Sequence, residues 1–352
     1  MKKKVAVAMS GGVDSSLCAA LLQEQGYEVL GITMQLSDDS REMNGVSSAA
    51  TDARRVADFL GIEHVVADFR TLFSDKVVDY FLTEYLTART PNPCVICNRF
   101  LKFGELLSFA KEKGADFLAT GHYVRVEKEE DGSFALKKGR DEKKDQSYVL
   151  YRLPREILSH ILFPLGSYRK EETRALAQKL FLPVANKAES QEICFVPEDD
   201  YKAYLSQHRP NRFHAGDIVD MQGQILGQHR GLPFYTIGQR KGLGIAAAHP
   251  LYVIALDEAN NRVIVGKNEE LYASSLFASD VNWLMEEPTQ EISVHAKIRY
   301  GSREVQANVL PLEDGAVKVS FLEPQRAVTP GQSVVFYSGE RLVGGATIES
   351  RT

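Results

Sequence analysis

Val5 to Leu22 reads VAVAMSGGVDSSLCAALL. A short apolar run ends at Met9. A serine, two glycines and Asp14 follow, and then a helix-like stretch begins near Ser15. Strand, glycine loop and helix in this order make a cradle for an anion. Glycine lacks Cβ, so backbone N–H groups can approach a phosphate, and the helix points its positive end at the same spot. Ser10 and Ser15 add hydroxyls, and Asp14 is suited to hold Mg²⁺ beside phosphate oxygens. No Gly-Lys-Ser/Thr follows, so this is not a Walker loop, and the dinucleotide fingerprint Gly-x-Gly-x-x-Gly is absent. The bland alternative is a plain tight turn.

Outward from this loop the pattern alternates. Val5–Met9, Val29–Thr33, His64–Ala67 and Phe117–Thr120 read as buried strands. Ser16–Gln25, Thr51–Leu60, Leu72–Tyr85, Phe100–Lys113 and Arg169–Lys179 read as helices, several stopped by glycine. Alternation of this kind predicts an α/β, Rossmann-like domain with a parallel sheet covered on both faces. Ligands of such sheets sit at the carboxyl ends of the strands, where Met34, Gly121 and His122 fall. A hairpin is expected around Asp131-Gly132. After Pro197 the chain turns glycine-rich with short strands. From about Ala273 it carries only short alternating runs with turn signals, which predicts a small antiparallel barrel or sandwich. The expected division is a catalytic domain over 1–198, a small mixed or β central domain over 199–272 and a C-terminal antiparallel β-barrel over 273–352.

The chain has 352 residues, 44% apolar and 25% charged, as an ordinary globular protein does. No apolar run has the length of about 20 residues that spans a bilayer, so no membrane partner is expected. Met1-Lys2-Lys3-Lys4 faintly resembles a signal peptide start, but the apolar run breaks at once and no cleavage site follows. The protein is read as cytoplasmic. A net charge of −5 argues against a surface coated in basic residues, yet a local basic cleft still suits nucleic acid.

The order Ser-Gly-Gly-x-Asp-Ser after a buried strand resembles the PP-loop of N-type ATP pyrophosphatases. That resemblance implies ATP cleavage between the α and β phosphates. Four cysteines are too few for a disulfide scaffold. Cys94 and Cys97, in RTPNPCVICNRFLKFGELL, lie just before the predicted helix. They read as half a zinc site, as buried structural thiols, or as reactive thiols activated by a helix N-terminus with Arg89 and Arg99 near in sequence. Cys194, in AESQEICFVP, is distant in sequence, and two thiols that meet can pass a sulfur atom as a persulfide. Cys18 reads as core.

Together these pieces resemble one family, the tRNA-specific 2-thiouridylases. The matching runs are SGGVDSS, TPNPCVICNRFLKF, LATGHYV, KDQSYVLY, SQEICFVP, GQHRGLPFYTIGQRKGLGI, IRY and AVTPGQSVVFY. They occur in family order along nearly the whole chain. The resemblance implies adenylation of the C2 oxygen of the wobble uridine of Lys, Glu and Gln tRNAs. Sulfur from a cysteine persulfide then displaces AMP. Cys97 would be the nucleophile and Cys194 the persulfide carrier, and the two could form a disulfide after turnover. Ala8, Met9, Ser10, Gly11, Gly12, Val13, Asp14, Ser15, Met34 and Gly121 would bind ATP with its Mg²⁺; the protein alone would hold no metal. Asn92, Pro93 and Cys94 would line the target base. His122, Lys144, Asp145, Gln146, Arg299, Tyr300 and Gln332 would contact tRNA. The sulfur donor would be a cysteine desulfurase or a relay protein. Many family members carry aspartate where this chain has Cys94, so the carboxylate's part in proton transfer or base holding falls to a thiol here. Two other readings compete: an adenylating PP-loop amidotransferase or ligase, which leaves the thiol pair unexplained, and a zinc-stabilised RNA-binding module.

Overall fold

A computed structural model of the chain describes residues 2–37, 48–188 and 193–352. Residues 38–47, and residues 189–192 ahead of Cys194, therefore lie outside the described residues. The chain forms two compact units. The first draws on residues 1–77, 94–191 and 339–343, and the second on 78–93, 192–338 and 344–352.

The first unit carries the expected parallel sheet. Its strands β1 (Lys4–Ala8), β2 (Glu28–Gln35), β3 (Glu63–Asp68) and β4 (Phe117–Ala119) pair in the order β3-β2-β1-β4. A hairpin of β5 (Val124–Lys128) and β6 (Phe134–Lys138) follows, and the short β7 (Ile161–Leu162) completes the sheet beside β4. β1 is central, and after Lys4 its Val5, Ala6 and Val7 are buried and apolar on both faces, as in a strand covered by helices on each side. Helices α1 (Val13–Glu24) and α2 (Ser48–Leu60) pack Cys18, Ala19, Leu22, Ala53 and Val56 onto Val5, Val7 and Val29. α1 starts at Val13, three residues ahead of the expected Ser16, because Gly12 is the last residue with extended backbone before it.

The remaining helices depart further from expectation. The predicted helix over 72–85 is three pieces: α3 (Arg70–Phe73), a π-helical run Ser74–Val78 and α4 (Asp79–Leu86). α4 belongs to the second unit. The helix expected to open at Phe100 opens at Pro93, whose fixed φ suits a first turn. It runs as α5 (Pro93–Ile96), a π-helical stretch Cys97–Glu105 and α6 (Leu106–Glu112). α7 (Lys170–Lys179) packs Ala177 among Val13, Leu17 and Leu21 of α1.

The second unit holds α4, α8 (Tyr201–His208) and two sheets. β8 (Gly216–Val219), β9 (Ile225–His229), β10 (Tyr252–Asp257) and β11 (Arg262–Gly266) form a four-stranded sheet around Ile218, Val253, Val263 and Val265. The last six strands are β12 (Tyr272–Trp283), β13 (Ile292–Lys297), β14 (Val305–Pro311), β15 (Val317–Arg326), β16 (Ser333–Ser338) and β17 (Arg341–Arg351). They pair in the order β12-β15-β14-β13-β16-β17, and β17 returns to β12. This settles barrel over sandwich: closure removes both sheet edges.

Candidate active site

The loop after β1 is held open by its own side chains. Ser15 Oγ accepts from the Ser10 N–H at 3.2 Å and donates to the Gly12 carbonyl at 3.2 Å; Ser16 Oγ donates to the same carbonyl at 2.8 Å. No side chain caps α1 at Gly12, and the first N–H groups of a helix have no intrahelical acceptor. Gly11 sits at φ +67°, and a Cβ there would lie 2.5 Å from the Ala49 carbonyl oxygen. Gly121, arriving from the end of β4, passes so close that a Cβ would meet the Asp14 backbone and the Ser15 nitrogen at 3.0 Å. Loop and strand end are therefore packed against each other with room for backbone alone.

Two lysines that the sequence reading did not single out reach this loop. Lys170, the first residue of α7, places Nζ 2.7 Å from both carboxylate oxygens of Asp14. The Tyr123 hydroxyl donates to Asp14 Oδ1 at 2.9 Å and lies 2.8 Å from the Thr173 hydroxyl. Lys187 Nζ donates to the Gly11 carbonyl at 3.1 Å and pairs with Asp52 at 2.6 Å. Asp14, expected to face Mg²⁺, is thus neutralised by a lysine that is itself buried.

At the strand ends, Met34 is half-buried and Met9 is buried. Thr33 Oγ1 donates to the Met9 carbonyl at 2.8 Å and meets His64 Nε2 at 2.8 Å. His122 is buried between Phe103 and Phe163, its Nδ1 2.6 Å from Thr120 Oγ1. Burial holds its pKa well below the usual histidine value, and the Lys102 charge adds to the effect. Asp145 accepts from the Gly139 and Ser147 N–H groups, and Gln146 Oε1 accepts from the Tyr123 N–H. Both side chains thereby shape their own loop, while Lys144 beside them is half-buried.

The thiols divide by environment. Cys94, in the first turn of α5, is exposed, whereas Cys97 is buried where the helix turns π-helical. Cys97 therefore lies inside a continuous helical run rather than ahead of it. The Cys94 thiol is crowded on its protein side, and this desolvation raises its pKa while Lys102 pulls it down. Cys18 is fully buried, and desolvation with the Asp14 charge drives its thiol far above the ordinary range, which fits the core reading. None of the four is disulfide-bonded.

In the second unit Cys194 is exposed, while its neighbour Phe195 stacks edge-on to Phe81 and Tyr204. Desolvation, then the Cys194 charge, raises the Tyr204 hydroxyl pKa. Asn92 is half-buried and Pro93 buried. Arg299 Nη2 donates to the Arg326 carbonyl at 3.3 Å, and the exposed Tyr300 ring lies 5.7 Å from Lys297 Nζ.

The parallel sheet with a glycine loop at its strand ends makes the first unit a Rossmann-like PP-loop domain. Residues 3–198 match the tRNA methyl transferase HUP domain, 202–267 the corresponding PRC-barrel domain, and 273–348 the aminomethyltransferase beta-barrel domain. The tRNA-specific 2-thiouridylase MnmA 1 of Caldanaerobacter subterraneus subsp. tengcongensis is 52% identical over 361 residues, covering 100% of this chain and 99% of that protein. The tRNA-specific 2-thiouridylase MnmA of Carboxydothermus hydrogenoformans is 52% identical over 359 residues, with 99% and 98% covered. The chain belongs to the tRNA-specific 2-thiouridylase family. Among solved structures, a 4-thiouridine synthetase–RNA complex with bound ATP covers 60% of this chain and 51% of its own at 16% identity and a TM-score of 0.37, too loose for residue correspondences.

Proposed function

We propose that this chain is an ATP-dependent sulfurtransferase that converts the wobble uridine of tRNA to 2-thiouridine, releasing AMP and pyrophosphate. The observation that carries the reading is the uncapped α1 N-terminus behind Gly11 and Gly12, closed by Gly121, in a chain of this family. A triphosphate fits such a cradle: the N–H groups and helix charge meet its anion, and Lys170 and Lys187 supply cations the loop itself lacks. Mg²⁺ arriving with ATP would meet Asp14 only as the Lys170 pair parts.

A urea-like carbonyl is a poor electrophile whose oxygen leaves badly. Adenylation of the C2 oxygen, with loss of pyrophosphate, turns that oxygen into a leaving group. The terminal sulfur of a Cys194 persulfide then adds at C2 and AMP departs. The Cys97 thiolate attacks the Cys194 sulfur, so the S–S bond breaks, the sulfur stays on the base and a Cys97–Cys194 disulfide forms. An external thiol reductant reopens it. Asn92, Pro93 and Cys94 line the base in this reading. The tRNA contacts in this reading are His122, Lys144, Asp145, Gln146, Arg299, Tyr300 and Gln332. A cysteine desulfurase or relay protein supplies the sulfur. A reductant that reopens the Cys97–Cys194 disulfide after each turnover is what a reducing, cytoplasmic setting supplies.

Methyl transfer, the chemistry in the domain description, would leave both the anion loop and the thiol pair without a task. The test combines protein, ATP, Mg²⁺, a persulfide donor and unmodified glutamate tRNA. Retardation of the RNA on a mercury gel with stoichiometric AMP is expected. AMP without thiolation, or no AMP, overturns the reading. Cys97→Ser and Cys194→Ser should each abolish thiolation while ATP still binds.

A further inference from the structure

Where β1 gives way to the glycine loop, the peptide joining Met9 to Ser10 is held from both sides. Its carbonyl accepts from Thr33 Oγ1 at 2.8 Å, and its N–H, on Ser10, donates to Ser15 Oγ at 3.2 Å. Thr33 of β2 is buried, and its hydroxyl oxygen lies 2.8 Å from Nε2 of His64, a buried residue of β3. His64 stands in register with Gly31, two residues before Thr33 on β2. A Cβ on Gly31 would come 2.6 Å from Met9 Sδ and 3.1 Å from His64 Cδ2, so its absence lets the thioether and the imidazole ring close over β2. His64 Nδ1 is buried with no hydrogen-bond partner among the described residues. Burial, then the Arg54 charge, lowers the His64 pKa against a smaller opposing effect of Asp58, so the ring is neutral at neutral pH.

A threonine hydroxyl has one hydrogen, and the Met9 carbonyl can only accept. With that hydrogen on Met9, the imidazole must donate to the Thr33 oxygen. Neutral His64 is then the Nε2–H tautomer, with its lone pair on the unpartnered Nδ1. The opposite tautomer would make Nε2 an acceptor competing with Met9 for the single hydrogen, and would bury an N–H with nothing to receive it. We infer that His64 is a positioning residue of the anion loop: its Nε2–H directs the Thr33 hydroxyl onto the Met9 carbonyl and so fixes the peptide from which the loop departs. Hydrogen bonds in such a chain polarise one another, so the relay acts as a unit. What the fixed loop holds rests on the ATP-dependent reading.

The test has two arms. Long-range proton–nitrogen NMR correlations of isotopically labelled histidine read the tautomer, and the His64 signal is assigned by its loss in His64→Gln. Wild type at neutral pH should show the Nε2–H form there. Calorimetry with ATP and Mg²⁺ then compares wild type, His64→Leu, Thr33→Val, their double variant and His64→Gln. Each of the first two variants should bind ATP roughly three- to tenfold more weakly, the scale of one net hydrogen bond. The double should be no weaker than the weaker single, because the relay breaks only once. His64→Gln, whose amide N–H can stand in for Nε2–H, should stay within about twofold of wild type. An Nδ1–H tautomer, wild-type affinity in folded His64→Leu, or additive losses in the double overturns the inference. Should His64→Leu not fold, a loss in His64→Gln as large as that in Thr33→Val overturns it instead. Should wild type itself not bind ATP, the functional reading falls, and the tautomer still decides whether the relay exists.

Discussion

Replacing Lys170 by Met keeps the length of the side chain and removes its charge from the loop. Asp14 then retains only the Tyr123 hydroxyl among the donors that Lys170 and Tyr123 supply. The magnitude follows from exposure. The Lys170 side chain is 10% exposed and that of Asp14 is 30%. Breaking a fully buried pair costs about 3–5 kcal/mol, and a surface pair contributes about 0–1 kcal/mol. Partial screening of Asp14 places this pair between them, at about 1–2 kcal/mol. Native-state hydrogen exchange over α1 and α7 reads that directly, because both helices meet through this contact and the Ala177 packing. Protection should fall by roughly five- to thirtyfold. The double variant Lys170→Met/Asp14→Asn should recover most of the loss, since the stranded carboxylate is gone. Unchanged protection in the single variant, or additive losses in the double, refutes the pair as a support of the loop.

Three further outcomes follow from the site. Gly11→Ala should cost about 1–3 kcal/mol and weaken ATP binding measured by calorimetry, because its Cβ would strike the Ala49 carbonyl at a positive φ; wild-type affinity in a folded variant would contradict it. Iodoacetamide at mildly alkaline pH should label exposed Cys194 in the native protein and leave Cys18 unmodified until denaturant is added, read by peptide mass spectrometry. His64 and His122 both have folded pKa values below the unfolded value of about 6.5. The unfolded chain therefore binds protons first as pH falls. Their contribution is full above about pH 6.5 and is lost below it, by at most about 1.4 kcal/mol per pH unit for each. Urea midpoints between pH 7.5 and 5.5 should drop, and His122→Gln should flatten part of that slope.

The parallel sheet was legible because each strand is a short apolar run closed by a turn residue, and because Gly26, Gly61 and Gly114 sit just past helix ends at positive φ. The hairpin around Asp131-Gly132 and the barrel strands were legible for the same local reason, period-2 alternation between turns. The π-helical run Cys97–Glu105 was not, since its composition is that of any amphipathic helix and only packing selects the wider register. The sequence pattern therefore sets Cys97 ahead of the helix, whereas packing takes it into the helical run. Nothing local to Thr90 and Pro91 announces that Gln332, 241 residues away from Pro91, donates to both their carbonyls.

The two lysines illustrate the same limit at the candidate nucleotide site. A Walker loop carries its lysine within the motif, so the cation can be read from a spacing. Here the loop brings glycines, serines and an aspartate, and its cations come from 156 and 176 residues downstream. Such pairs leave no periodic trace, because their partners meet only when α7, which carries Lys170, and the segment after it, which carries Lys187, pack against the loop. The arrangement has a physical consequence. A loop without its own lysine would present the Asp14 carboxylate to an incoming polyanion, a repulsive approach. Docking of α7 neutralises that carboxylate and sets an ammonium group at the loop in one step. On the proposed ATP-binding reading, anion affinity is tied to the packing of Ala177 among Val13, Leu17 and Leu21. A substitution that loosens this contact should weaken nucleotide binding while touching no residue of the loop motif itself.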